Sequence, residues 1–237
     1  MRHTDGVRRE LHRHKYATAA AFCALLMLAP AASAAQATEG ASVSTSIHAL
    51  KSPGGTLVQT IAPFTPITGS KSVTPIIGRK LVEGTEWLRV RLSGRPNGRS
   101  ALIPAASAEV VRLHWRIRVD LSNRKLVAFH DGRMVKRITV VIGAPSTPTP
   151  TGHFFVVEKV RLGATWSHTG WALALSAFSN VLKHFDGGQG QVAIHARGRL
   201  LGALGSASSH GCMRARDSDA GWLAHRVPNG TPVDIVH

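Results

Sequence analysis

Ser208-Ser209-His210-Gly211-Cys212-Met213-Arg214 is the stretch on which the reading of this chain turns. It contains the only cysteine outside the first two dozen residues, with a histidine two positions before it. A second histidine, in Ile194-His195-Ala196, lies upstream across a loop rich in Gly, Ala and Ser. A thiol and a histidine that converge in the fold make a nucleophile and its base. The same residues also suit a buried structural cysteine beside a loop histidine. The surrounding sequence has to decide between them.

The chain has 237 residues, room for a targeting segment and one or two small domains. Residues 1–15 are polar and basic, and an apolar core follows from Tyr16 to Leu28. Pro30 breaks it, and Ala32-Ser33-Ala34 supplies the small-x-small pattern of a signal-peptidase site. The apolar core is shorter than the ~20 residues a membrane helix needs. A signal peptide over 1–34 is therefore expected, with an uncleaved anchor as the alternative, and no integral membrane span after cleavage. Cleavage removes Cys23 and leaves Cys212 as the sole thiol of an exported protein. A cysteine without a disulfide partner in that compartment calls for another role, and catalysis is the first candidate.

The formal charge is +16, of which residues 1–34 hold a net +3, leaving +13. Such a surface favours polyanions. Without a helix-turn-helix or RNP motif, nucleic acid is not the expected partner. For an exported chain, an anionic wall polymer is.

Residues 35–45 are small and polar and are expected to form a linker. Between 46 and 112, short strand-like runs alternate with turn signals such as Ser52-Pro53-Gly54-Gly55 and Gly94-Arg95-Pro96-Asn97-Gly98. Five or six short strands in this length predict a compact barrel or sandwich. The segment from Ala49 through Trp87-Leu88-Arg89-Val90 to Pro96-Asn97-Gly98 resembles a bacterial SH3-like domain. Relatives of that type often end in Gly-Trp-Ile/Val-Pro, where this chain has Ala101-Leu102-Ile103-Pro104. The loss of the tryptophan argues against an aromatic ligand groove, and the module reads equally as wall binder or spacer.

From residue 114 the alternation is cleaner. Ile117–Leu121 and Leu126–His130 read as strands, Asp131-Gly132 as a hairpin turn, and Met134–Ile142 as the returning strand. A turn-rich loop runs from Gly143 to Gly152, and His153–Lys159 is a further strand. Residues 160–190, with Trp166, Trp171 and Phe178, read as loop-rich, in the manner of a lid. Gln191–His195 is a buried strand. Asp217–Arg226 is expected to form a short helix capped by Asp217 or Ser218, and Val233–Val236 a closing strand.

In this half the chain resembles the L,D-transpeptidase (YkuD-type) catalytic domain. The match rests on Asp131-Gly132, Thr149-Pro150-Thr151-Gly152, Ile194-His195 and Ser209-His210-Gly211-Cys212, with Gly230-Thr231-Pro232-Val233 as the closing strand. The resemblance implies a mainly β fold: an N-terminal SH3-like small β-barrel, then a β-sandwich over 114–237 with a short helix after the cysteine. It makes Cys212 the nucleophile, His195 its base, and the Ala196 carbonyl the group that orients that base. His210 is the rival base and otherwise shapes the pocket. Gly211 lets backbone approach the substrate, and backbone amides around Gly211 and Cys212 serve the oxyanion. Ser209 braces the turn. Two departures stand out: thirteen residues separate His195 from Ser209, at the short edge of the family's range, and Arg214 replaces a frequent Asn. An arginine there suits a substrate carboxylate.

What the resemblance implies is an exported cell-wall enzyme acting on peptidoglycan stem peptides through a thioester and forming 3→3 cross-links. A carboxypeptidase using water, and a non-catalytic wall-binding protein, are the alternatives. No cofactor is implied. A metal is not expected, since the chain has no His-Glu-x-x-His or Cys-x-x-Cys. His130, His153, His168 and His184 read as surface or loop residues.

Overall fold

Alternating apolar and polar residues build two large sheets and a small two-stranded one, seen in a computed structural model that describes residues 38–163, 170–185 and 187–237. The expected signal peptide, Trp166 and His168 lie outside those residues. The first sheet has seven strands: β1 (Thr38–Ser42), β2 (Ile47–Leu50), β3 (Leu57–Ile61), β4 (Val73–Val82), β5 (Thr85–Arg91), β6 (Ser100–Pro104) and β7 (Glu109–Leu113). Their spatial order is β3-β2-β6-β5-β4-β1-β7. Leu88 and Val90 of β5 and Ala101 and Ile103 of β6 are fully buried, while Arg89, between the first two, points outward. The linker expected over 35–45 is corrected here, because β1 pairs with both β4 and β7. Its sequence, Thr-Glu-Gly-Ala-Ser, carries too little apolar alternation to announce a strand. Small side chains are what let it sit between two neighbours.

The second half holds β8 (Trp115–Asp120), β9 (Lys125–His130), β10 (Arg133–Thr139), β11 (Ile142–Gly143), β12 (Gly152–Leu162), β13 (Gly170–Phe178), β14 (Gln191–Ala196), β15 (Ala207–Ser209), β16 (Met213–Ala215), helix α1 (Asp217–Arg226) and β17 (Pro232–Val236). Eight of these strands form one mixed sheet, β10-β9-β8-β17-β12-β13-β14-β16, and β11 pairs with β15 in a second. The molecule is mainly β, with α1 the one α-helix among the described residues. The β9–β10 hairpin turns at Asp131 (φ 47°) and Gly132 (φ 76°), both in the left-handed region that a two-residue turn requires.

Three expectations need correction. The run expected as one strand, Met134–Ile142, divides: β10 ends at Thr139, and Ile142 leaves to pair with β15. Val140, Val141 and Ile142 are all buried, so periodicity cannot reveal that the partner changes. The stretch 160–190, read as loop, contains the end of β12 and all of β13, which pair antiparallel. The cap of α1 is Arg216, without a side-chain cap bond; Asp217 instead accepts from the Gly198 amide.

The two sheets meet through polar contacts. The buried Glu158 carboxylate accepts from the Thr68 amide and hydroxyl, both at 3.0 Å. Asn229 Nδ2 donates to Ser70 Oγ and to the Lys71 carbonyl.

In the centre of the large sheet Asp234 accepts from Arg116 Nε at 2.7 Å and is hydrogen-bonded to His153 Nδ1. Burial raises its carboxyl pKa, but the His153 and Arg116 bonds outweigh burial and hold it below the usual range. Asp234→Asn is therefore expected to cost about 1–2 kcal/mol at neutral pH, read by urea denaturation. The folded carboxyl lies below its unfolded value of ~3.9, so its contribution is complete above that value and is lost as pH falls through the folded one. Wild type and variant should converge in stability only as pH falls below the unfolded value and through the lower folded one. A gap that persists there would exclude the charge as its origin.

Candidate active site

Strand β14 alternates sharply: Val192, Ile194 and Ala196 are buried in the core, while Gln191, Ala193 and His195 turn to the other face. Strand β16 lies parallel to it with Ile194 opposite Met213 and His195 opposite Arg214. Met213 and Ala215 join the core, which sends Arg214 to the face of His195. Cys212, one residue before Met213 and just outside β16, meets the Ala193 amide and the Arg214 charge. The fold thus brings thiol, imidazole and guanidinium together from adjacent strands.

His195 Nδ1 lies 2.7 Å from the Ala196 carbonyl. A carbonyl only accepts, so Nδ1 carries the proton, and in the neutral ring Nε2 is the basic nitrogen. Cys212 is half-buried. Burial pushes its thiol pKa up, while the Ala193 amide and the Arg214 charge pull it down without cancelling burial. The resting form is then the neutral thiol, which needs a base to become a nucleophile.

The turn ahead of Cys212 is braced from inside and outside. Ser209, 1% exposed, donates its hydroxyl to the Cys212 carbonyl and accepts from the Gly211 amide. Gly211 sits at φ +114°, a conformation closed to other residues even though space for a Cβ exists. From outside, the 143–152 loop grips the turn. The Ala144 amide and Thr147 Oγ1 both donate to the Ser209 carbonyl, at 2.8 and 3.0 Å. The Thr149 hydroxyl donates to the Gly211 carbonyl at 2.9 Å and accepts from the Gly143 amide. A side chain at Gly143 would collide with the backbone of 147–149, as close as 2.4 Å, so the grip requires glycine there.

One expected role changes, that of the Gly211 amide. The Gly211 amide, expected to face an oxyanion, is given to Ser209, and Gly211 is buried under the loop. His210 is exposed and stacks on Phe185, with ring centroids 4.9 Å apart and planes at 30°. Thr147, Thr149 and Phe185 were missed by the sequence reading of single residues. The threonines lie in the quoted Thr149–Gly152 motif and just before it, which was the available signal; Phe185 gave none.

Arg214 is 8% exposed. Its Nη1 donates to the Leu201 carbonyl at 2.7 Å, and its buried Nε has no hydrogen-bond partner. Burial lowers its pKa and the neighbouring Cys212 raises it.

Away from this site, His114, His130 and Asp131 bring donor atoms within 4.8 Å of one another. His114 Nδ1 is 2.6 Å from Asp131 Oδ1, and Arg112, Arg116 and Arg118 border the same surface depression. His130, read as a surface residue, is a member of this ion-pair cluster. The surrounding cations disfavour a divalent ion there.

Comparison with known proteins gives a family match over residues 114–235, to the L,D-transpeptidase catalytic domain, YkuD. The chain is 32% identical over 144 residues to the candidate L,D-transpeptidase YkuD of Bacillus licheniformis, covering 59% of this chain and 75% of that protein. It is 29% identical over 148 residues to YkuD of Bacillus subtilis, also named as a candidate, covering 60% and 78%. Among solved structures, L,D-transpeptidase 3 from Mycobacterium tuberculosis in complex with a faropenem-derived adduct superimposes with a TM-score of 0.44 at 18% identity, covering 73% of this chain and 77% of that one.

Alkylation of Cys212 by iodoacetamide, followed by peptide mass spectrometry, reads the thiol directly. Its rate should rise with pH to a midpoint above ~8.5, the unperturbed value. Arg214→Met removes the cation that favours the thiolate and should move the midpoint higher still. A lower midpoint in that variant would contradict the assigned electrostatics.

Proposed function

The chain belongs to the L,D-transpeptidase (YkuD) family, and from that premise we propose that Cys212 and His195 form its catalytic pair. The observation that carries this reading is the pairing of β14 with β16, which sets His195 opposite Arg214 with Cys212 against the Ala193 amide, and the hydrogen bond that fixes His195 through Nδ1 on the Ala196 carbonyl. His195 Nε2 takes the thiol proton as Cys212 Sγ attacks the carbonyl of the third residue of a stem tetrapeptide. The C–N bond breaks, the departing D-alanine amine receives that proton from His195, and a thioester remains on Sγ. An amine of a second stem then loses a proton to His195 and attacks the thioester. An amide, the 3→3 cross-link, forms, and Sγ leaves as thiolate and recovers the proton. If water takes the place of that amine, the product is a tripeptide.

Supporting roles follow from the same positions. The Ala196 carbonyl stabilises the imidazolium. We assign the oxyanion to the Cys212 amide, because the Gly211 amide is given to Ser209. The buried Arg214, with Nε unpartnered, receives a carboxylate of the donor stem. His210 is a wall of the cleft and not the base: it is exposed and stacked on Phe185. The N-terminal sheet reads as an SH3-like module, and the apolar segment ahead of Ala34 as an export signal that delivers the chain to the cell wall. There the positive charge of the chain favours anionic wall polymers.

Incubation with a carbapenem, followed by intact-mass measurement, should show one covalent adduct that maps to Cys212 and is lost in Cys212→Ala. With a disaccharide-tetrapeptide donor, wild type should release D-alanine and His195→Ala should be slowed by roughly 10²-fold or more. A folded wild type that takes no adduct and releases no D-alanine overturns the reading.

A further inference from the structure

The connection between β5 and β6 does more than close a hairpin. Two of its polar residues, Arg95 and Asn97, reach across to the catalytic sheet and take hold of the segment between β13 and β14. The Asn97 carboxamide treats Phe178, the last residue of β13, as a strand partner: its Oδ1 accepts from the Phe178 amide at 2.9 Å and its Nδ2 donates to the Phe178 carbonyl at 2.7 Å. Nδ2 also lies 3.2 Å from Asn180 Oδ1.

Arg95 enters the loop itself. Its Nη1 donates to the Ser179 carbonyl, and its Nη2 to the carbonyls of Leu182 and Gln189, at 3.0 and 2.8 Å. Those three acceptors stand on the outgoing and returning limbs of one loop, so a single planar guanidinium ties the limbs together. The guanidinium also lies over the Phe178 ring, 5.2 Å from its centroid. Between the limbs, Phe185 and Gly188 exchange backbone hydrogen bonds in a tight turn, and Phe185 projects onto His210, two residues before Cys212.

We infer that Arg95 and Asn97 are positioning residues of the active site: they hold the 179–190 loop so that Phe185, a specificity-determining wall of the cleft, stays stacked on His210 and contacts the donor stem. The N-terminal sheet is then part of the catalytic apparatus and not a spacer. A lysine cannot replace Arg95, because one ammonium on a flexible stem cannot reach three carbonyls in one plane. Phe185 is 44% exposed although large and apolar, as a wall that awaits a ligand would be.

The inference rests on the catalytic reading above, and its test separates the two. Full-length wild type, Arg95→Ala, Arg95→Lys, Asn97→Ala, Phe185→Ala and the double variant Arg95→Ala/Phe185→Ala are compared with the disaccharide-tetrapeptide donor. Thermal melting confirms that each is folded. Arg95→Ala and Phe185→Ala should each lower kcat/KM for D-alanine release by about tenfold or more, and Arg95→Lys should not restore it. The double variant should be no slower than Phe185→Ala alone, because the two residues act through one contact. Iodoacetamide, too small to need the wall, should alkylate Cys212 at the wild-type rate in all of them. Additive losses, a wild-type Arg95→Ala, or alkylation that falls in step with turnover would each overturn the inference. An inert wild type would instead overturn the catalytic reading.

Discussion

The pairing of β14 with β16 is the constraint on which this site depends. Two short parallel strands are set with Ile194 opposite Met213, and both of those side chains are fully buried. Because side chains alternate with a period of two, a slip of one residue in β16 would send Cys212 and Arg214 into the core and Met213 into the cleft. The apolar members of the two strands therefore do for the site what no polar contact could do alone. They fix the register by burial, and the register places the reactive groups on one face. The helix α1 packs on β13 and β14, burying Ala220, Leu223 and Ala224, so β14 cannot move without opening the core.

Electrostatics then works against a resting thiolate. The chain is strongly cationic, yet the thiol is held neutral because its burial outweighs the Ala193 amide and the Arg214 charge. Arg214 is itself under tension: it is a buried cation whose Nε lacks a partner. An unmade hydrogen bond on a buried charged group is costly, and such a group persists where a ligand completes it. On the proposed reading, the two anomalies would offset each other in a substrate complex. A carboxylate on Arg214 would satisfy the open donor, and proton transfer to His195 would release the thiolate only once the attacked carbonyl is in place.

Much of this was legible in the sequence, and the parts that were not share a physical reason. The order Ile194-His195, Ser209-His210-Gly211-Cys212 marked the residues proposed as the catalytic pair, and the alternation in Ile117–Leu121 and Leu126–His130 gave β8 and β9. The hairpin at Asp131-Gly132 was readable because a two-residue turn needs positive φ. What escaped depends on partners distant in the chain. Strand β1 has almost no apolar pattern and exists because β4 and β7 flank it. The Thr147 and Thr149 grip is made of hydroxyl-to-carbonyl bonds that leave no periodic trace. The Gly211 amide was expected to serve the substrate. A glycine's sequence context shows that its backbone is permissive, not which group its amide will meet, and here Ser209 Oγ, two residues away, claims it.

The clasp between Arg95, Asn97 and the 178–190 segment extends the same logic from residues to modules. Interfaces joined by a few polar contacts would ordinarily leave two modules free to move. This one differs because the acceptors are main-chain carbonyls of a loop whose own amides do not fully use them. Removing the guanidinium would leave the Ser179, Leu182 and Gln189 carbonyls to find other donors, and the loop's two limbs would lose their common anchor. Docking of the first sheet and the shape of the cleft are thereby one equilibrium. Any force on the N-terminal sheet is transmitted toward Phe185 through the Arg95 and Asn97 bonds. Linkage makes that coupling reciprocal: a substrate that presses on Phe185 must also favour the docked sheet.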